Sequence, residues 1–451
     1  MKRVIITLLT FGFLALISGS FNYRFRGEEP RRAVIAYEMN YFNNFYQPTF
    51  LGENYYRKPP LFNWLIILSS KFSGWGIHTG RIVSITFTFL TTMLLIYFSF
   101  RFIFRNIDLS LISGLIFLSF LDISFWYGFL AEIDITLTFF VFLTITILML
   151  SFEKKSYVLL TLSGVLTGLS FLLKGFPSYV FFSISYAVLA IWHYFFYKNR
   201  NIGFFIYGLV ISLLFSLLPI ILWLYHLNEP VLYLKTLWDE SFNRVKESKN
   251  IIHLVSHVLF YPLLNIKQTL LVSLLVLVIS LKEKKVVFQN VPSKIKLIGL
   301  LFLANYLPYL ISASSGRYIL PILPLLAVIF TYIIYKTKNF KPLMIIIFVV
   351  FTIRLLAGVF YFPYETAKKG KCRFIAQTIL SKITIENNTA TNCKEHKGLI
   401  FFLDTLSNNI VLSENKLKNW KYFISCNKKK EGFKLIDRIK FKNTIIYLYA
   451  K

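Results

Sequence analysis

Polar residues in this chain gather in short clusters that separate long apolar blocks. The blocks run Val4–Phe21, Ile82–Phe100, Leu109–Trp126, Ile133–Phe152, Tyr157–Leu173, Phe176–Tyr197, Ile202–Tyr225, Val255–Leu281, Leu297–Ser312, Tyr318–Tyr335 and Leu343–Phe362. Each is near the roughly 20 residues that a helix needs to cross a bilayer core of about 30 Å. Helices and closed barrels alone satisfy their own backbone in lipid, so the pattern predicts an all-α polytopic protein of about eleven transmembrane helices. Met1-Lys2-Arg3 ahead of the first block also suits a signal peptide. That block is long and lacks an A-x-A-like end, which predicts a retained first helix with its basic end inside.

The charged clusters test the alternation. Counting spans from that end, the inner loops hold Arg101 and Arg105, Lys154 and Lys155, Lys198 and Arg200, then Lys282, Lys284, Lys285, Lys294 and Lys296, and finally Lys336, Lys338 and Lys341. Each is short and basic, as the positive-inside rule requires. Three longer segments are then predicted to lie outside: a first loop over 21–80, a second over 227–254, and a tail from Pro363. In the first loop, Pro30 suits the first position of a helix capped by Glu29 and running through "RRAVIAYEMNYF". Pro59-Pro60 open an apolar segment ending near Phe72. That segment is too short to cross, so it should lie along the interface. In the tail, Arg373–Ile383 reads as a helix, and "GLIFFLD", "WKYFIS" and "NTIIYLY" read as strands of a small α/β domain. The predicted division is 1–362 for the membrane domain and 363–451 for a periplasmic C-terminal domain.

Composition agrees, with 56% hydrophobic and 16% charged residues against about 25% charged in an ordinary soluble domain. The net charge of +29 would suggest nucleic acid in a soluble protein. Here the inner loops account for much of it, and the remainder points to a bilayer and an anionic lipid or lipid-phosphate partner rather than nucleic acid. The three cysteines, Cys372, Cys393 and Cys426, show no metal-ligand spacing. An oxidising compartment would allow Cys426 to pair with either of the others, or all three to stay reduced.

The candidate chemistry lies at the outer ends of spans. Glu132 and Asp134 stand where one span opens, Lys174 where one ends, Arg317 and Tyr318 where another opens, and His78 and Arg81 before the second. Single charges at helix ends usually serve as interfacial anchors. Cations beside carboxylates on the outer face are a different pattern. An anionic phosphate leaving group needs fixed cations, and an incoming hydroxyl or amine needs a carboxylate base. Glu28 and Glu29 begin a helix whose dipole would hold them ionised; Glu28 is the expected base, and Glu29 is equally suited to capping.

The order "GEEPRRAVIAYEM" then "NYYRKPPLFNWL" resembles the first outer loop of GT-C glycosyltransferases that use lipid-phosphate sugars. The 4-amino-4-deoxy-L-arabinose–lipid A transferases and the protein O-mannosyltransferases are the most similar. The resemblance extends through Asp134, "LKG" at Leu173–Gly175 and "RYILP" at Arg317–Pro321, and is weak in the tail. It implies a catalytic role for Glu28, with Glu29 beside it and Asp134 as a second outer-loop carboxylate. It implies donor-phosphate contacts from Arg31, Tyr55 and Lys58, with Lys174, Arg317 and Tyr318 near the donor site. Two departures stand out. Glu28 replaces the family's aspartate, and Arg57 replaces a glutamate implicated in a metal contact, so no metal ligand or cofactor is assigned.

The reading is an inner-membrane glycosyltransferase that moves a sugar from a polyprenyl-phosphate donor to a periplasmic-face acceptor, namely lipid A, another glycolipid, a polysaccharide or a protein. The rival readings are a flippase of lipid-linked sugars and a non-catalytic partner of an envelope glycan machine. A flippase would place charges mid-membrane and show repeat halves, and neither feature is evident.

Overall fold

The computed structural model describes residues 2–197, 201–247, 251–312, 315–386, 388–417, 419–426, 433–441 and 444–451. Lys198 and Arg200, part of the basic-loop pattern, lie outside these residues. The chain opens with α1 (Lys2–Ile17), then α2 (Glu29–Tyr41), a hairpin of β1 (Thr49–Phe50) and β2 (Glu53–Asn54), and α3 (Leu61–Ser73). The body follows: α4 (Ile77–Phe98), α5 (Ile107–Ser119), α6 (Ile133–Lys154), α7 (Tyr157–Lys174), α8 (Pro177–Phe196), α9 (Ile202–Leu224) and α10 (Pro230–Glu247). After it come α11 (Ile251–Gln268), α12 (Leu270–Lys282), the short α13 (Lys284–Phe288), α14 (Ser293–Leu310), α15 (Leu323–Thr337) and α16 (Phe340–Leu356).

Among the described residues, seven helical segments are long and apolar enough to cross a membrane, or eight if one bent pair counts as a single span. The protein is a multi-pass membrane protein. Three of the expected spans are shorter or less apolar than a full crossing: α1 with 16 residues, α5 with 13, and α14 with its lysine-bearing start. The block expected to run Leu109–Trp126 breaks at Phe120, whose extended backbone ends α5 before a π-helical turn over Ile123–Tyr127. The block Val255–Leu281, expected as one span, is two helices bent by 108° across Thr269. The break falls where Asn265, Lys267, Gln268 and Thr269 interrupt the apolar run, and averaging hydropathy over the whole block hides it. Where α7 meets α9 the backbones nearly touch: a Cβ on Gly164 would fall 2.1 Å from the Ser212 carbonyl oxygen, and one on Gly168 2.2 Å from that of Ser216. Small residues four apart allow this approach, and dispersion between closely packed backbones then holds the pair in lipid.

α16 continues through a π-helical turn into α17 (Phe362–Lys369) and α18 (Cys372–Leu380), so the boundary drawn at residue 362 falls inside one helical run. The tail adds β3 (Thr389–Thr391), α19 (Lys397–Ser407), β4 (Leu412–Ser413), β5 (Tyr422–Ser425), β6 (Lys434–Phe441) and β7 (Thr444–Ala450) in a sheet ordered β4-β3-β5-β7-β6. β3 runs parallel to β4 and β5, and β7 antiparallel to β5 and β6. The disulfide is Cys393–Cys426, next to the paired ends of β3 and β5. The run "GLIFFLD", expected as a strand, lies in α19. Residues 398–404 are all buried there, so the helical period is hidden and a short apolar run reads the same either way.

The tail does not stand apart. Its core includes Ala33 and Val34 of α2 and Leu51 of the hairpin. The Ser413 amide donates to the Leu51 carbonyl at 2.9 Å. Glu53 accepts from Lys394 at 3.3 Å and from the Ser413 hydroxyl at 2.5 Å. The first loop is thus held between the helical body and the tail.

Candidate active site

Glu132 precedes α6 and Asp134 lies in its first turn, where the unpaired amides of a helix start favour negative charge. Asp134 is buried and forms an ion pair with Lys174 from the last turn of α7. The Lys174 ammonium also lies 4.4 Å above the Tyr318 ring. Arg317, on the 3₁₀ segment Gly316–Ile322, places Nη1 3.8 Å from Glu132 Oε2 and 3.9 Å from Asp134 Oδ2. Three segments distant in sequence therefore converge on one pair of carboxylates.

The first loop closes over this pair. The Glu28 amide donates to Glu132 Oε1 at 3.0 Å. Gly27 makes the approach possible: its φ is +52°, and a Cβ there would sit 2.6 Å from the same oxygen. The Glu28 carboxylate forms ion pairs with Arg31 at 2.6 Å and with Lys397, from the start of α19, at 3.5 Å. Burial pushes the Glu28 carboxyl upward, but Arg31, Lys397 and Arg32 together hold it below the ordinary carboxylate range. Burial and the neighbouring Asp134 charge push Glu132 the other way, up to about 7. Two carboxyls in one site with protons held this differently suit a division between ionised group and proton carrier.

Lys58 lies beside this centre, its ammonium paired with Glu240 of α10. Burial pushes Lys58 down to about 8, against the pull of Glu240. α10 is held at its start by Tyr56 bonded to Glu229, and the Tyr233 hydroxyl donates to the Lys58 carbonyl at 2.6 Å. Tyr55 is half-buried beside this pair, within electrostatic reach of Tyr233. Arg57 is exposed. On another side, an apolar cavity of about 620 Å³ lined by Leu121, Phe125, Trp126, Leu264 and Leu271 reaches Arg317.

Of the residues singled out from sequence, Glu28, Arg31, Asp134, Lys174, Arg317 and Tyr318 form one connected cluster, with Lys58 and Tyr55 along its edge. Glu29, expected beside Glu28 as a second catalytic carboxylate, is directed elsewhere. It is fully buried and accepts from Arg81 Nε at 2.8 Å and Nη2 at 2.7 Å, from the Ala131 amide at 2.8 Å and from the Arg26 amide at 2.8 Å. The helix begins at Glu29 with Glu28 at the cap position, one residue earlier than expected. That one-residue difference separates the two glutamates, since successive residues at a helix start lie about 100° apart. Four participants were not assigned roles from sequence: Arg32, Glu132, Glu240 and Lys397. Glu132 was detectable from its spacing with Asp134 in "AEID". Nothing in the local sequence marks Lys397, which arrives through the docking of the tail.

Residues 57–223 match the family described as dolichyl-phosphate-mannose-protein mannosyltransferase. The chain is 31% identical over 177 residues to the undecaprenyl phosphate-alpha-4-amino-4-deoxy-L-arabinose arabinosyl transferase of Pseudomonas aeruginosa strain LESB58, covering 38% of this chain and 32% of that protein. It is also 31% identical over 182 residues to the protein of the same description from Wigglesworthia glossinidia brevipalpis, again covering 38% of this chain. The matched segment thus spans about a third of these relatives' length. In three dimensions the likeness is end to end. ArnT from Cupriavidus metallidurans bound to undecaprenyl phosphate superposes with a TM-score of 0.74 at 14% identity, over 99% of this chain and 97% of that one. The Archaeoglobus fulgidus oligosaccharyltransferase in complex with Zn and sulfate gives 0.53 at 10% identity, over 94% and 67%. The chain therefore shares the fold of ArnT.

Proposed function

We propose that this protein is a glycosyltransferase that takes a sugar from a polyprenyl-phosphate donor and transfers it to an acceptor at the outer face of the bacterial inner membrane. The observation that carries the reading is the cluster itself. Glu28, Glu132 and Asp134 sit among Arg31, Lys58, Lys174, Arg317 and Lys397, beside a largely apolar cavity of about 620 Å³. Breaking the bond between the anomeric carbon and the phosphate oxygen leaves the electron pair on a lipid phosphate, whose charge needs fixed cations. The acceptor oxygen or nitrogen attacks the anomeric carbon and loses its proton to a carboxylate of the cluster when it is a hydroxyl or an amine.

The relatives named for undecaprenyl phosphate-linked aminoarabinose support a donor of this class. A glycolipid such as lipid A is the leading acceptor, with a protein or polysaccharide behind it. The short basic loops on the opposite side support the outward placement of the cluster and tail.

The test is transfer by the purified full chain from a defined undecaprenyl-phosphate sugar, followed by mass spectrometry of the acceptor lipid. Product formation that Glu28→Gln nearly abolishes, and that Glu28→Asp retains, is the expected result. Full activity of Glu28→Gln would remove Glu28 from the mechanism. Movement of the donor across liposomes with no transfer would favour a flippase instead.

A further inference from the structure

Each cation of the cluster except one has a carboxylate partner. Arg31 and Lys397 meet Glu28, Lys58 meets Glu240, Lys174 meets Asp134, and Arg317 meets Glu132 and Asp134. Arg32 differs. It is only 5% exposed, and no ion pair to it exists among the described residues. Its Nε and Nη1 are buried without a hydrogen-bond partner among the described residues. Its charge reaches Glu28, Lys58, Glu132 and Asp134, so it lies between the Glu28 side of the cluster and the Lys58 side.

A buried guanidinium cannot shed its proton, and leaving its donors unused opposes folding. Native interiors satisfy the large majority of such groups. The chain nonetheless holds Arg32 in place: it lies in the first turn of α2, whose following residues Ala33 and Val34 are locked into the tail's core. Six cations here face four carboxylates among the described residues, which leaves an excess of positive charge centred on Arg32.

We propose that Arg32 is a phosphate-binding residue of this site, its unused N–H groups taking the oxygens of a phosphate ester carried by a lipid substrate. The assignment rests on the glycosyltransferase reading and adds to it the residue that receives the phosphate. Charge-assisted bonds from guanidinium to phosphate are among the strongest a side chain makes. Lys58 must leave Glu240 to join such a contact, whereas Arg32 is available without any exchange of partners.

The experiment titrates undecaprenyl phosphate, and separately a phosphorylated disaccharide glycolipid, onto the purified full chain, comparing wild type with Arg32→Gln and Arg32→Lys. Thermal unfolding without lipid is recorded in parallel. Arg32→Gln is expected to weaken undecaprenyl phosphate at least tenfold and Arg32→Lys less, while the lipid-free midpoint stays level or rises because an unsatisfied charge has gone. A loss confined to the phosphorylated glycolipid also supports the proposal and assigns the phosphate to the acceptor. If wild type binds and Arg32→Gln binds equally well, the proposal is overturned, and a fall in its lipid-free midpoint would identify Arg32 as structural. Wild-type protein that binds neither lipid overturns the functional reading and this assignment together.

Discussion

Two sets of buried arginines on the first loop's side of the molecule are used in opposite ways. Arg81 directs five hydrogen bonds at Glu29 and at the carbonyls of Ser20, Tyr23 and Arg24. Arg354 reaches the carbonyls of Ser124, Ser18 and Leu16 and the Ser20 hydroxyl, with Phe129 and Phe362 each 4.8 Å from its guanidinium carbon. Both are fully enclosed, and between them they tie the exit of α1 to α4 and α16. Three residues after Glu29, Arg32 is almost as buried and has two donor atoms unused among the described residues. Depth alone therefore does not separate a structural charge from a functional one. What separates them is whether the fold has already supplied every partner. Where it has, the charge is a fastening; where it has not, the site is built for a group that comes and goes.

The sharpest way to break this contrast is to remove charge from each set and compare activity with stability. Lys58→Ala and Asp134→Asn should each lower transfer by about 10²–10⁴-fold, with the folded protein recovered from membranes in wild-type amounts. Measured kcat/KM within a factor of a few of wild type would put these residues outside the reaction. Arg81→Leu should act the other way. It leaves Glu29 buried and unpaired, which costs about 3–5 kcal/mol, so the detergent-solubilised protein should unfold or aggregate at clearly lower temperature. A thermal midpoint equal to wild type would show that the fastening is dispensable.

pH separates the regions again. Burial holds Lys58 down to about 8, so its ammonium is lost as pH rises through that value, and kcat/KM should fall on the alkaline side. Glu240→Gln removes a charge that props the Lys58 ammonium up, and should move that limb to lower pH. A limb that stays in place would disconnect Glu240 from the site. The smallest effect belongs to the seam between first loop and tail. Burial pushes Glu38 up to about 7, against hydrogen bonds from the Leu51 and Gly52 amides, and burial beside Glu38 pushes Asp404 well above its ordinary range. The folded chain thus keeps protons that the unfolded chain releases from about pH 4.5 upward, and stability falls as pH rises from there through about 7. Asp404→Asn removes the like charge, and should recover on the order of 1–2 kcal/mol at pH 8. An unchanged slope of thermal midpoint against pH would show that the two carboxyls do not interact.

Much of this was legible along the chain. The membrane body and the two helices of the first loop follow from hydropathy blocks and prolines at helix starts. Glu28, Asp134, Lys174 and Arg317 stood out as charges at helix and span ends, whereas Arg31 entered only through the family resemblance of its motif. The distinction between Glu28 and Glu29 was not legible, because adjacent glutamates differ only in which way the first turn of α2 directs them. Nor was the break at Thr269, where the polar residues Asn265, Lys267 and Gln268 were absorbed into one long, mostly apolar block. α19 read as a strand because burial on all sides erased its period, and Lys397 was invisible for the same reason: it joins the site only when that helix docks on α2.

By itself the sequence determined a polytopic helical protein and which residue types stand at the ends of its spans. These depend on transfer of apolar and charged groups between water and lipid, which is nearly a sum over residues and can be read from a linear string. The tertiary structure alone decided which charges are consumed and which are left over. Arg81, Arg354 and Arg32 are chemically identical, and their roles depend on the carbonyls and carboxylates that distant segments bring within about 3 Å. That proximity belongs to the packed chain as a whole, because a hydrogen bond dies away within an ångström or two of its best distance while its partners here lie up to hundreds of residues apart in sequence.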